Sequence, residues 1–330
     1  MNGTRSLSVR RSLPLIGAYA FGVLTAIQSR MNGELSAVLG SGIEAALYSF
    51  SLGLVLALGF LLLPRTRQAI RRIPNALRNR QLTWWQFLGG VIGGVFVGVQ
   101  AATVPLIGVA VFTVAVVAGQ SMNSIVVDRI GLGPAGKQPV TAPRVASACL
   151  ALVAVIIAVS GHLGTASFSM LAVLACVLVG AGTSVQQAFN GRIARVTGQP
   201  TPSTLINFMV GTTVLATLFG GTWAATGAGP VALGGAPWWA YLGGALGVVF
   251  IAIAAWVVPI TGVLVFAVLS VAGQLSSALL LDVIAPTSGT ILGWQLVLGV
   301  ALAFIAVGIA ARGRPTQSRP GLDPSARIEP

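Results

Sequence analysis

The stretch "WWQFLGGVIGGVF" at residues 84–96 returns as "WWAYLGGALGVVF" at residues 238–250. The correspondence continues without a gap to Asp128 in the first copy and Asp282 in the second, and 21 of these 45 positions are identical. Shared apolar composition alone does not produce such agreement, and self-similarity at a fixed spacing indicates a repeated structural unit. The chain is therefore predicted to contain one unit twice.

The composition is typical of a membrane protein, because 55% of the 330 residues are hydrophobic and only 8% are charged. Soluble domains have about a quarter of their residues charged. A bilayer core of about 30 Å is crossed by roughly 20 apolar residues in a helix, whereas barrel strands would alternate apolar and polar residues. Ten membrane helices are predicted, at approximately 13–33, 43–63, 84–104, 107–127, 144–161, 170–190, 203–224, 238–258, 260–281 and 290–311.

Each copy of the repeat would contain five of these helices. An odd number of crossings makes the second copy enter the membrane from the opposite face, so that a pseudo-twofold axis in the membrane plane relates the two copies. The predicted fold class is an all-α integral membrane protein with ten transmembrane helices in two inverted five-helix repeats. The predicted divisions are a cytoplasmic N-terminal segment, two repeats and a disordered cytoplasmic tail, at residues 1–12, 13–161, 170–311 and 312–330.

The net charge of +13 would suggest a nucleic-acid partner in a soluble protein. Here the basic residues indicate topology instead, since Arg and Lys are enriched in cytoplasmic segments of membrane proteins. With the N-terminus inside, 18 of the 19 basic residues fall in inner segments and only Arg30 falls near the outer side. We therefore expect a multi-pass protein of the bacterial cytoplasmic (inner) membrane with both termini cytoplasmic and no nucleic-acid partner.

Two further stretches, "TAIQSRMNG" at 25–33 and "TSVQQAFNG" at 183–191, repeat a Gln and Asn motif in the first helix of each copy. With ten helices in two inverted halves, this motif resembles the drug/metabolite transporter superfamily, above all its YdcZ-like branch of inner-membrane exporters. The resemblance covers about residues 15–310. It implies that helices 1, 3, 4, 6, 8 and 9 surround a cavity that opens alternately to each side. The small multidrug members carry a Glu in their first helix, where this chain has Gln28, so proton coupling through that carboxylate is not implied.

Polar side chains fall on one face of four predicted helices, for example at the i, i+3, i+7 spacing of Thr25, Gln28 and Asn32. Amides that faced lipid would leave hydrogen-bonding groups unpaired, so these faces are predicted to point inward and to line a substrate cavity. Amides also hold membrane helices together, and that alternative stays open. The candidate substrate-binding residues are Thr25, Gln28, Asn32, Gln120, Asn123, Thr183, Gln186, Asn190, Gln274 and Ser277.

The few acidic residues lie near the predicted membrane faces, where solvated or helix-capping roles are the ordinary ones. Two of them are matched across the copies at the ends of helices 4 and 9. Two prolines lie just before the same helices, where a tight turn is the ordinary explanation, since proline is tolerated at a helix start because its missing N–H would be unpaired anyway. A hinge or half-broken helix near the binding site is the alternative. The candidate gate or coupling residues are Asp128, Asp282, Glu44, Pro105 and Pro259.

The sequence offers no nucleophile, metal cluster or acid/base pair that would indicate an enzyme, and no phosphate-binding glycine motif. No cofactor or metal is expected. The expected function is secondary transport of a small neutral or zwitterionic metabolite or drug by alternating access, with export indicated by the resemblance; a channel and a non-transporting membrane scaffold are the alternatives. The expected partners are membrane lipid and a small-molecule substrate, and the G-x-x-x-G ladder that begins at Gly90 leaves a homodimer as an option.

Overall fold

The computed structural model describes the backbone of residues 3–163, 169–227, 229–231 and 234–312. Side chains are described in these ranges except at residues 3–11, 251, 255, 259, 263 and 264. The tail that is predicted to be disordered, after Arg312, lies outside the described residues, and so does the side chain of Pro259.

The described residues form helices and connecting loops, and no strand occurs among them. Nine helical segments in this part of the chain are long and apolar enough to cross a membrane. Short 3-10 helices at Trp84–Leu88 and Trp238–Leu242 precede the two longest helices. The α-helices are α1 (Gly3–Leu39), α2 (Gly42–Leu58), α3 (Pro64–Arg71), α4 (Ile73–Arg78), α5 (Gly89–Ile130), α6 (Ala142–Ser160), α7 (Met170–Thr197), α8 (Thr201–Thr226), α9 (Gly243–Ile284) and α10 (Trp294–Arg312).

Helix α5 is broken at Gly108, where φ is 79° and ψ is 167°. The ring centroids of Phe96 and Phe112 are 5.8 Å apart, whereas 16 residues of straight helix would separate them by about 24 Å. The helix therefore folds back on itself at Gly108, and we call residues 89–107 and 109–130 its first and second arms. A side chain at position 108 would be strained by the positive φ, which glycine adopts freely.

Helix α9 is broken in the same way at Gly262, where φ is 77° and ψ is 159°. The ring of Phe21 lies 5.2 Å from that of Phe250 and 5.0 Å from that of Phe266. A single ring can contact both only if the chain returns between them. Residues 243–261 and 263–284 are therefore the first and second arms of α9.

Pro105, which is predicted just before the following helix, lies three residues before the break, in the last turn of the first arm of α5. The reversal needs a positive φ, and the proline ring fixes φ near −65°. Gly108 therefore makes the turn, and Pro105 ends the arm before it.

Glycine residues allow the closest helix contacts. A Cβ added at Gly22 of α1 would lie 1.8 Å from the carbonyl oxygen of Ser270, and one added at Gly180 of α7 would lie 2.2 Å from that of Val116. Such backbone-to-backbone contact is typical of membrane helix packing. Helix α1 thus packs along the second arm of α9, and α7 packs along the second arm of α5.

The glycine ladder of α5 is used for packing inside the chain. A Cβ at Gly90 would lie 2.8 Å from the carbonyl oxygen of Asn207 in α8, and one at Gly94 would lie 3.2 Å from that of Gly211. In α9, a Cβ at Gly244 would lie 2.0 Å from the carbonyl oxygen of Ser49 in α2. The first arms of α5 and α9 therefore each support one short helix of the other half.

Candidate functional site

Four polar side chains form a closed network near the C-terminal end of α1. The Nδ2 of Asn32 donates to Oε1 of Gln100 at 2.8 Å, and the Oγ of Ser49 donates to the Oδ1 of Asn32 at 2.5 Å. The Nε2 of Gln100 donates to the Oγ of Ser29 at 2.8 Å. All four residues are at most 2% exposed. Buried polar groups need partners, and here Asn32 ties α1, α2 and α5 together.

The sequence interpretation missed Gln100, although it is a lone amide in the apolar stretch "VGVQAATV" at 97–104. Its equivalent in the second copy is Ala254, so the comparison of the copies gave no signal. A polar residue inside an apolar membrane helix is itself a signal, because it has to find a partner there.

The equivalent region of the second half contains a smaller network. The Nδ2 of Asn207 donates to the Oδ1 of Asn190 at 2.9 Å, and these residues are the repeat equivalents of Ser49 and Asn32. Asn190 is half-buried instead of fully buried. Since Ala254 replaces the glutamine of the first half, the second half has one bond where the first has three.

The two glutamines of the repeated motif are in different situations. The Nε2 of Gln28 donates to the carbonyl oxygen of Gly243 at 2.8 Å. Gln186 makes no hydrogen bond with any residue that the structure describes. It lies over the first arm of α5, where a Cβ added at Gly93 would be 2.6 Å from its Nε2. Both glutamines are half-buried.

Two aromatic rings lie between these amides. The centroids of Phe50 and Phe208, which are repeat equivalents, are 5.4 Å apart. A Cβ added at Gly93 would be 3.6 Å from Phe50, and one at Gly247 would be 3.0 Å from Phe208. Each glutamine therefore has a glycine face and an aromatic ring beside it, an arrangement that offers both a hydrogen bond and an apolar surface.

The polar residues of the second arm of α5 bond to α7. The Nδ2 of Asn123 donates to the carbonyl oxygen of Ala181 at 2.8 Å and to the Oγ of Ser184 at 2.9 Å. The Nε2 of Gln120 donates to the Oε1 of Gln187 at 3.1 Å, on the exposed side. Asn123 thus joins two helices, and Gln120 is engaged with a surface glutamine.

The remaining candidates of the polar faces divide into two groups. Thr25 and Thr183 donate to carbonyl oxygens of their own helices, at 2.9 Å and 2.7 Å, an interaction that satisfies the hydroxyl locally. Gln274 and Ser277, on the second arm of α9, make no side-chain hydrogen bond with the described residues. With Gln186, they are the predicted residues whose polar groups are not already bonded.

Asp282 caps the second arm of α5 across the break. Its two carboxylate oxygens accept the N–H groups of Val109 at 2.9 Å and of Ala110 at 2.7 Å, and the residue has no exposed surface. The first N–H groups of a helix have no intrahelical partner, and an acidic side chain is favoured there. The Asp282 carboxylate, on α9, therefore acts as the N-cap of the second arm of α5.

The loop between α9 and α10 satisfies the other side of the same break. The carbonyl oxygen of Pro105 accepts the N–H of Gly289 at 2.9 Å and the hydroxyl of Ser288 at 3.2 Å, while the hydroxyl of Thr287 donates to the carbonyl oxygen of Val104 at 3.3 Å. These carbonyls lost their helical partners at the break. Residues 282–289 thus hold both ends of the reversal.

The other acidic candidates have different partners. Asp128 forms an ion pair with Arg144 of α6, although it is the repeat equivalent of Asp282. Glu44 accepts the N–H of Val231, which ties the start of α2 to the loop after α8. Only Asp282, of the two matched aspartates, contacts a helix break in this structure.

Two surface depressions lie away from these residues. One of about 540 Å³ lies between α2 and α8 beside Met209 and Thr213, and one of about 210 Å³ lies between Arg65, Arg72 and Gln199. Neither contains a predicted substrate-binding residue. Among the described residues, no group of three or more His, Cys, Asp or Glu could hold a metal ion.

The sequence matches, over residues 13–157 and again over residues 171–310, the family described as "Putative inner membrane exporter, YdcZ". The chain belongs to the YdcZ family. The resemblance inferred from the repeated motif is thereby confirmed. Together with the apolar helices, membership of the YdcZ family makes the chain a multi-pass inner-membrane protein of the exporter class.

Among solved structures, one chain titled only "Crystal structure of protein" matches with a TM-score of 0.52 and 18% sequence identity. The match covers 92% of this chain and 96% of the other. At this identity it shows a shared fold and no more. No curated protein matches the sequence.

Proposed function

We propose that this YdcZ-family member is a secondary transporter with ten membrane crossings in two inverted five-helix units. It exports a small neutral or zwitterionic metabolite or drug across the inner membrane by alternating access, and both termini are cytoplasmic. The observation that carries the proposal is the difference between the two equivalent glutamines. Gln28 is bonded to a backbone carbonyl, whereas Gln186 offers a half-buried amide without a bond to the described residues.

The reversals at Gly108 and Gly262 support ten crossings. Each divides a 42-residue helix into two arms of about 20 residues, and about 20 residues span a bilayer core. The two family matches, 13–157 and 171–310, support the division into two units.

The direction of α1 relative to α5 is the first step in support of inversion. Ser29 of α1 contacts Gln100 in the first arm of α5, and Gly33, one turn later, lies against Val104, also one turn later. Residue numbers rise together along both helices, so α1 runs parallel to the first arm. The second arm runs the opposite way because the chain reverses.

The direction of α7 is the second step. Gly180 of α7 lies against Val116 in the second arm of α5, and Ser184 bonds Asn123, later in both helices. Helix α7 is therefore parallel to the second arm and opposite to α1. Since α1 and α7 begin the two copies, their opposite directions are what an inverted repeat requires.

Reciprocal contacts support an alternating mechanism. Gly22 lies against Ser270, and Gly180, the equivalent of Gly22, lies against Val116, the equivalent of Ser270. Each half thus contacts the other through residues at equivalent positions. Two arrangements of similar energy are the condition for a transporter whose substrate shifts the balance between them.

The neighbourhood of the glutamines supports the substrate class. It contains amides, hydroxyls, glycine faces and the Phe50–Phe208 pair. The charged groups of this region are bonded within the protein: Arg30 pairs with Glu34 at 2.6 Å, Arg144 pairs with Asp128, and Asp282 accepts two backbone N–H groups. Because an unpaired charge is costly in such surroundings, a substrate without net charge fits best.

The direction of transport rests on the family description, and the orientation of the chain in the membrane rests on the six Arg between residues 65 and 80.

Counterflow in proteoliposomes tests the proposal. Vesicles loaded with an unlabelled metabolite should accumulate the labelled one transiently, with a saturable rate, for at least one member of a panel of neutral and zwitterionic compounds. Flux that does not saturate and shows no counterflow would indicate a channel. Absence of flux across the panel, with variants of the amides changing only stability, would indicate a scaffold.

A variant pair tests the role of Gln186 in that assay. Gln186→Ala should lower the counterflow rate about tenfold by removing one hydrogen bond to bound substrate, without lowering the melting temperature. Gln187→Ala, which removes the adjacent exposed amide, is the matched control and should keep the wild-type rate. Equal rates for both variants would remove Gln186 from the binding site.

A further inference from the structure

The two helix breaks are equivalent in sequence but not in their contacts. Gly108 and Gly262 are 154 residues apart, as are Asp128 and Asp282. At Gly108 an added Cβ would lie 2.8 Å from the Asp282 carboxylate, whereas at Gly262 no described atom lies within 4 Å of one. One break is therefore capped by an aspartate, and its equivalent is not.

We propose that Asp282 and Asp128 are the paired gate residues of the transport cycle, and that each caps the helix break of the other half in one of the two end states. In this structure Asp282 caps α5 at Gly108. In the opposite state Asp128 leaves Arg144 and caps α9 at Gly262, while Asp282 is released. The inference rests on the proposed alternating-access function.

The backbone groups exposed by the Gly108 break are bonded by residues of the second half. Asp282 accepts hydrogen bonds from the two N–H groups after the break. Thr287, Ser288 and Gly289 donate hydrogen bonds to the carbonyl oxygens before it. Opening this end would leave those buried groups without partners, which is costly away from water. The contacts therefore define one end state of the molecule.

The Gly262 break has the features of the released end. Val258 and Thr261 are half-buried and Gly262 is exposed, whereas their equivalents Val104, Ile107 and Gly108 are buried. Asp128, which would be its cap, is bound to Arg144. In this structure the ion pair with Arg144 therefore keeps the Asp128 carboxylate away from the Gly262 break.

The sequence repeats both the helix breaks and the aspartates that would cap them. Both breaks read Gly-Val, at 108–109 and 262–263, and both glycines already have the same backbone angles, within about 10°. If each half adopts the arrangement that the other has now, Asp128 faces the N–H groups after Gly262. The carboxylate cap is thus available in both states, whereas the hydroxyls of Thr287 and Ser288 have no equivalent in the first half, which has Gly133 and Pro134 there.

Each aspartate also has an arginine that can receive it when it is released. Arg144 of α6 binds Asp128 in this structure. Arg30 of α1 donates to the carbonyl oxygen of Ala285, three residues after Asp282, and is paired with Glu34. A released carboxylate is therefore not left without a counter-ion in either state.

Distance measurements between spin labels test the exchange in the full chain, reconstituted in lipid, with Cys149 and Cys176 replaced. One label pair, at the exposed Leu106 and Leu292, reports on the Gly108 end. The other, at the exposed Ile130 and Ile260, reports on the Gly262 end. Asp282→Asn should shift the population about tenfold towards a longer first distance and a shorter second one.

Asp128→Asn should shift the population the other way, because it removes the cap of the opposite state. The double variant should return within about twofold of the wild-type ratio, since both states lose their cap. Gln81→Ala is the control, because its side chain is exposed and makes no hydrogen bond with the described residues. It should leave both distances unchanged.

Shifts in the same direction for the two single variants, or no shift, would overturn the proposal. A longer Leu106–Leu292 distance without a change in the Ile130–Ile260 distance would also overturn the proposal. That result is expected if Asp282 only stabilises the Gly108 break and the two ends are not coupled. If Asp282→Asn does not fold, Asp128→Asn decides alone. Opposite shifts in a chain that shows no counterflow would keep the exchange and reject the transport function.

Discussion

Helices α1 and α7 begin the two halves with the same Thr, Gln and Asn, yet their polar groups are used differently. In α1, Asn32 and Gln28 are bonded within the protein. In α7, Asn190 has one partner and Gln186 has none among the described residues. The comparison teaches that an identical motif can join helices in one half of a repeat and remain available in the other, because its neighbours differ.

The largest expected effect comes from the helix breaks. Gly108→Ala should lower the free energy of unfolding by about 3 kcal/mol, since it adds a Cβ 2.8 Å from the Asp282 carboxylate to the left-handed strain of about 1 to 2 kcal/mol. Gly262→Ala should lower the free energy of unfolding only by that backbone strain, because no described atom lies within 4 Å of the added Cβ. Denaturant unfolding in detergent, followed by tryptophan fluorescence, measures both. Equal losses would mean that the two breaks are held alike.

The next effect separates the asparagines. Asn32→Ala should cost about 2 kcal/mol, because it leaves the Oε1 of Gln100 and the hydroxyl of Ser49 buried without the partner they have here. Asn190→Ala should cost about 0.6 kcal/mol, the average for an interhelical hydrogen bond in a membrane. The same unfolding measurement applies. A Gln100→Ala variant should lose little more when it is combined with Asn32→Ala, and full additivity would contradict the network.

A smaller effect separates the glutamines. Gln28→Ala should lower the free energy of unfolding by about 1 kcal/mol through the lost bond to Gly243, whereas Gln186→Ala should leave it within about 0.3 kcal/mol of the wild type. Thermal unfolding of the purified variants compares them. A clear loss for Gln186→Ala would show that its amide is a structural bond after all.

The smallest effect concerns pH at the Gly108 end. Burial lowers the pKa of His162 below its ordinary value of 6.5, although contacts with the backbone of Gly289 and Ala158 partly oppose this. The unfolded chain then takes up a proton that the folded chain resists, so stability should fall as the pH drops below 6.5 and level off below the folded pKa. Melting temperatures between pH 7.5 and pH 5 test this. His162→Asn should flatten the curve in this range, because the chain has one histidine.

The sequence could predict the helices because their apolar content is a local property. Hydropathy reports only the apolar part of a helix, however, so α1 and α7 extend to Leu39 and Thr197, beyond their predicted ends at 33 and 190. Polar residues can continue a helix outside the bilayer without leaving a hydropathy signal. The equivalence of Gln28 with Gln186 also followed from spacing alone.

The candidate site was less predictable, because a hydrogen bond depends on what lies opposite. Spacing placed Asn123 on a polar face but could not show that α7 supplies its partners at Ala181 and Ser184. Gln100 was missed because its equivalent is Ala254. Whether the polar residues on one face of a helix join it to another helix or remain available to a ligand depends on the residues that pack against that face.

By itself, then, the sequence determined that this is an apolar helical protein built from a duplicated unit, and which residues of the two units correspond, since composition and repetition can be read along the chain. Only the tertiary structure decided that Asp282 caps a helix break while Asp128 pairs with Arg144. The physical reason is that equivalent residues carry the same chemistry but meet different partners. The free energy of a polar group inside a membrane protein is set by those partners.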